Sequence, residues 1–161
     1  MATRYAHARE LRTIGQQLDQ QNIDSFDLHY DNGDYVLECG DPNPPFTELV
    51  HLRYSSEELR SMELRAAQGR SDQFTLVKFE TLAEILRTIG RKLDKLGAKL
   101  ARISTLEAMA DGTRFKIEYE SHNGRYHAED MVTSTITDLA IRQYKDRARI
   151  RGDSQQHPSA K

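Results

Sequence analysis

The residues able to do chemistry are six histidines, one cysteine and a series of spaced basic side chains. His7, His29, His51, His122, His127 and His157 include no pair at the i,i+4 spacing through which one helix offers two imidazoles to a metal. The chain also lacks a Gly-x-Ser-x-Gly elbow and a glycine-rich phosphate loop after a strand, so no nucleophile or nucleotide cradle stands out. Cys39 is alone, which rules out an intrachain disulfide and a thiolate metal framework. It alternates in phase with Tyr35 and Leu37, as a buried, inert thiol would. His29, His51 and Arg53 fall on the polar phase of two strands and can share one sheet face with Asp27 and Glu38. His122 and His127 flank a turn and read as exposed. No metal and no cofactor are expected.

Charge has more direction. Residues 1–72 hold 7 basic and 13 acidic side chains, net −6, whereas residues 73–161 hold 16 and 12, net +4, which together give the overall −2. Arg87, Arg91 and Lys95 stand at successive i,i+4 positions, with Lys92, Lys99 and Arg102 nearby, and Arg142, Lys145, Arg147, Arg149 and Arg151 follow towards the C-terminus. Such a basic surface can neutralise nucleic-acid phosphates, or it can meet an acidic protein surface in this molecule or another.

The elements that position these groups come from a repeat. Ala8–Asp19 and Ala83–Asp94 are identical at eight of twelve positions, including Leu11-Arg12-Thr13-Ile14-Gly15 against Leu86-Arg87-Thr88-Ile89-Gly90 and Leu18-Asp19 against Leu93-Asp94. After the first of these helices, Phe26, Leu28 and Tyr30 alternate with polar residues, Asn32-Gly33 intervenes, and Tyr35, Leu37 and Cys39 alternate again. Two period-two runs about Asn-Gly predict a hairpin with a type I′ turn. In the second half Asp111-Gly112 takes that place, between 103–110 and Phe115, Ile117 and Tyr119. Third strands are expected over 47–54 and 125–132, and 74–79 reads as a connector or an extra strand.

A helix closes each half. Ser55 and Glu58 make a capping box, and Thr135 and Asp138 a weaker one; Leu59, Met62 and Ala66 face inward in the first helix, Ile136, Leu139, Ala140, Gln143 and Tyr144 in the second. The clearest helix opens the second half. Thr81 and Glu84 cap it, Leu82, Ile85, Leu86, Ile89, Leu93 and Leu96 form its stripe, and Gly97 ends it. The expected fold is α+β: an α-β-β-β-α unit duplicated over 1–72 and 73–151, with antiparallel three-stranded sheets flanked by helices and packed as one pseudo-twofold domain. Residues 152–161 read as a disordered tail.

This element order is similar to that of double-stranded-RNA-binding domains, which implies a Lys-rich N-terminus on the closing helix. The matching positions are Ser55, Ser56, Glu57, Glu58 and Thr133, Ser134, Thr135, so the similarity ends at topology.

No stretch approaches the roughly 20 apolar residues of a membrane span, and Met1–Arg4 lead into polar sequence without an apolar export region. A soluble, cytoplasmic protein is expected. The function expected is a non-enzymatic binding or adaptor module that engages another protein, self-association included. Nucleic-acid binding through the basic second repeat is the alternative, and a small-molecule site between the repeats a third reading.

Overall fold

The computed structural model describes residues 5–23, 25–40, 49–68, 81–109 and 112–155. Its elements are α1 (His7–Gln20), β1 (Phe26–Asp31), β2 (Asp34–Gly40), β3 (Leu49–Tyr54), α2 (Ser56–Gln68), α3 (Leu82–Leu96), β4 (Lys99–Met109), β5 (Gly112–Glu120), β6 (Tyr126–Val132) and α4 (Thr133–Gln155). The fold is α+β in a single domain, and no described helix is long and apolar enough to cross a membrane.

Local chemistry accounts for several element boundaries. Asn32 and Gly33 adopt positive φ of 51° and 87°, closing the β1–β2 hairpin as an Asn-Gly turn demands. Ser55 Oγ accepts the Glu58 N–H at 3.1 Å to start α2, and Thr81 accepts the Glu84 N–H to start α3. Gly97 takes the left-handed conformation, φ 65°, and ends α3.

Other expectations shift. Helix α4 begins at Thr133, not Thr135: the Thr133 hydroxyl accepts the Thr113 N–H at 3.0 Å and donates to the Thr113 carbonyl, which ties the helix start to β5. It then runs to Gln155, into the segment read as tail, and 156–161 lie outside the described residues, as do 74–79. Gly112 already belongs to β5, where a Cβ would come within 2.5 Å of the Thr133 Cβ. Ala66 and Tyr144, expected inside, are exposed.

Two separate three-stranded sheets are not what forms. The triplets join through β1 and β4 into one antiparallel sheet of order β3-β2-β1-β4-β5-β6, with Asp27, Leu28 and His29 opposite Ser104, Ile103 and Arg102. Pairing these strands removes two edges whose backbone groups would otherwise need water. A register shift between Leu100 and Arg102 lets Leu100 and Ile103, three apart, both point inward.

One core collects side chains from all four helices and one phase of the strands, among them Leu11, Leu28, Leu59, Leu86, Ile103, Phe115 and Ile136. Helices α1 and α3 cross at very close range. A Cβ on Gly15 would lie 2.6 Å from the Ala83 Cα, and one on Gly90 2.5 Å from the Ala8 nitrogen. Only glycine permits that approach. Asp19 accepts the N–H groups of Leu82 and Ala83 at 2.9 and 3.0 Å, and Asp94 accepts those of His7 and Ala8 at the same two distances. Each helix therefore caps the start of the other, with a carboxylate at the positive end of its dipole.

Candidate functional site

The first turn of α1 carries a buried polar chain. His7 continues the stripe of Leu11, Ile14 and Leu18 and is fully buried. The Leu100 N–H donates to His7 Nε2 at 3.1 Å, so in the neutral ring the proton sits on Nδ1, which donates to the Tyr35 hydroxyl at 2.6 Å. Tyr35 in turn donates to Glu10 Oε1 at 3.2 Å. Burial pulls the His7 pKa down to about 4 from its ordinary 6.5. Burial, reinforced by the Glu10 charge, pushes the Tyr35 phenol far above its ordinary range. Both ring nitrogens of His7 are engaged, so it has none to offer a ligand.

The chain surfaces at Glu10, in a cleft of about 390 Å³ between α1, α2 and the end of β1. Tyr5 and Tyr30 form one wall: Tyr5 stacks on His7 with centroids 4.9 Å apart, and Tyr30 meets both rings nearly at right angles. Leu59, Ser56 and Arg60 come from α2, and Arg9 and Glu63 close one side as an ion pair at 2.5 Å. Glu10 and Arg60 have no ion pair with a described residue.

A second cleft, about 410 Å³, lies between the halves and is lined by Leu18, Asp19, Leu82, Ile85, Phe115 and Thr133. Its one carboxylate is already committed to the start of α3.

The six basic residues singled out in the sequence come from two elements. Arg87, Arg91, Lys92 and Lys95 lie on α3, whereas Lys99 and Arg102 belong to β4, because the strand starts at Lys99, directly after the helix end. Arg102 is on the sheet phase facing away from the core and pairs with Asp27. Arg87 bonds Glu84 at 3.1 Å, and Lys92 bonds Glu129 at 2.7 Å. Arg91, Lys95 and Lys99 carry no ion pair to a described residue. Desolvation and the neighbouring Arg87 lower the Arg91 pKa from its ordinary value.

The polar sheet face does gather His29, His51 and Arg53 with Asp27 and Glu38, and no described element packs against it. The two imidazoles occupy different cross-strand rows. His51 stands opposite Glu38, with Nδ1 3.5 Å from Oε1, while His29 lies between Val36 and Arg102. Arg53 reaches Asp34 at 2.8 Å and Asp31 at 3.5 Å. Among the described residues no group of three or more His, Cys, Asp or Glu is placed to hold a metal. Cys39 is buried, and desolvation raises its thiol pKa. His122 and His127 are exposed, and His127 stacks on Tyr119.

Sequence reasoning missed His7 and Glu10. One signal was present: His7 stands four residues before Leu11 on an otherwise apolar stripe. Compared with protein-family models, curated proteins and solved structures, the chain finds no match.

Proposed function

We propose that the chain is a non-enzymatic cytoplasmic binding module, built by internal duplication about a pseudo-twofold axis, whose first half engages another protein through the α1–α2 cleft. Support for the duplication comes from reciprocity. Gly15 and Gly90, and Asp19 and Asp94, are matched residues of the repeated segment, and each pair makes the same contacts with the opposite helix. The cross-strand pair Leu28–Ile103 at the sheet centre shares the offset of 75 residues seen in the helices.

Support for the site comes from where that equivalence fails, and this observation carries the reading. At the same offset, Leu82 and Ile85 stand for His7 and Glu10. The cross-strand pair Tyr30–Tyr35 answers to Thr105–Phe115. Burying polar groups costs stability unless each finds a partner, and an apolar set evidently fits this framework. The polar set occurs in one half only, where it borders a cleft lined by charged residues and tyrosine.

Nucleic acid is the weaker reading, because Arg87, Lys92 and Arg102 already have carboxylate partners and the six basic residues are divided between α3 and β4. The test is a low-salt pull-down comparing the wild-type chain with Arg60→Glu and Tyr30→Ala, alongside light scattering. Capture of a defined partner, or self-association, that both substitutions abolish is expected. A monomeric chain that captures nothing removes the reading.

A further inference from the structure

Four charged side chains line the α1–α2 cleft, and they are not equivalent. Arg9 and Glu63 neutralise each other at 2.5 Å. Glu10 and Arg60 are of opposite sign, share the cleft, and pair neither with each other nor with another described residue. Glu10 is half-buried, and one of its carboxylate oxygens takes the Tyr35 hydroxyl at 3.2 Å, which leaves the carboxylate further acceptor capacity in the cleft it lines. A partly desolvated carboxylate without a counter-charge is complemented best by an ammonium. Arg60 is exposed and presents a planar fork of donors, the geometry that suits a carboxylate. Tyr30 and the buried Leu59 line the same cleft and give it an apolar surface. The volume of about 390 Å³ falls in the range of small-ligand sites, roughly 300–1,000 Å³.

We infer that this cleft binds a small zwitterion, a free α-amino acid with a large apolar side chain, with its ammonium on Glu10, its carboxylate on Arg60 and its side chain against Tyr30 and Leu59. The inference rests on the cleft being the binding site of the module but not on its partner being a protein. A bound amino acid would share the cleft with that partner, so the two would compete.

The experiment is an NMR titration of the full chain with L-phenylalanine, N-acetyl-L-phenylalanine and L-phenylalaninamide, following amide resonances in α1, β1 and α2. Saturable shifts with L-phenylalanine are expected, with affinity at least about tenfold weaker for each derivative, since each lacks one charge. Glu10→Gln should erase the advantage of the free amino acid over its N-acetyl form, and Arg60→Gln the advantage over the amide. Arg60 is exposed and its replacement leaves the core intact, so this arm is informative even if Glu10→Gln destabilises the fold. No saturable shift up to about 20 mM ligand, or equal affinity for all three compounds, overturns the inference. If partner capture still depends on Tyr30 and Arg60 in that event, the proposed function stands; if capture fails as well, both fall.

Discussion

The Asp94 carboxylate holds the backbone N–H of His7 at 2.9 Å, so a residue late in α3 fixes the first turn of α1 and with it the buried imidazole. Ala6, at the N-cap of α1, offers no side-chain acceptor, which leaves Asp94 as the cap. Asp94→Ala should therefore cost about 1–2 kcal/mol in chemical denaturation. Asp19→Ala should cost less, because Thr81 still caps α3. Equal losses would mean that the Thr81 bond contributes nothing.

The glycine pair at the helix crossing gives a second prediction. Gly15→Ala or Gly90→Ala places a methyl carbon 2.6 or 2.5 Å from backbone of the other helix, where no flexible side-chain end can yield. Each should destabilise the chain by more than about 2 kcal/mol, despite the higher helix propensity of alanine. A rise in melting temperature for either variant would show that α1 and α3 do not pack this closely in solution.

Acid should unfold the chain partly through His7. Its folded pKa, about 4, lies below the unfolded value of 6.5. The neutral form is thus favoured by folding. This contribution is complete above about pH 6.5 and is lost as pH falls towards 4, to the extent of about 3 kcal/mol. Stability measured against pH should fall through this window in the wild-type chain, and the fall should be shallower in His7→Gln. Parallel profiles would assign the acid sensitivity to other groups.

Tyr35→Phe removes the hydroxyl that links His7 to Glu10 and leaves His7 Nδ1–H buried without its acceptor. A loss of about 1–3 kcal/mol is expected, together with a change in the His7 imidazole resonances. The substitution matches what stands at position 115 of the second half. If stability were unchanged, the polar chain would have no energetic weight.

The basic residues give a negative prediction. Gel-shift assays with RNA and DNA at about 50 mM salt should show no binding. Binding whose salt dependence flattens in the combined Arg87→Ala, Arg91→Ala and Lys95→Ala variant would restore the nucleic-acid reading.

What the sequence made legible was local. Helix α3 follows from its stripe and caps, the first hairpin from Asn32-Gly33, and the start of α2 from Ser55. The union of the two strand triplets was not legible, because the Leu28–Ile103 pairing joins residues far apart in the chain and no turn sets its register. The start of β4 was hidden for a related reason: the bulge at Leu100–Arg102 breaks the period that reveals a strand, so it did not show that the strand begins at Lys99 and carries both Lys99 and Arg102. The buried chain needs three residues from two elements, His7, Glu10 and Tyr35. Only the place of His7 on the α1 stripe foreshadowed it.

The central claim is that contact is made in the first half, at the α1–α2 cleft. Hydrogen exchange of the full chain, alone and saturated with the partner it captures, tests this most directly. Slowed exchange should concentrate in the first turns of α1 and α2 and at the Tyr30 end of β1. Protection confined to α3, α4 or the uncovered sheet face, with the cleft unchanged, would contradict it.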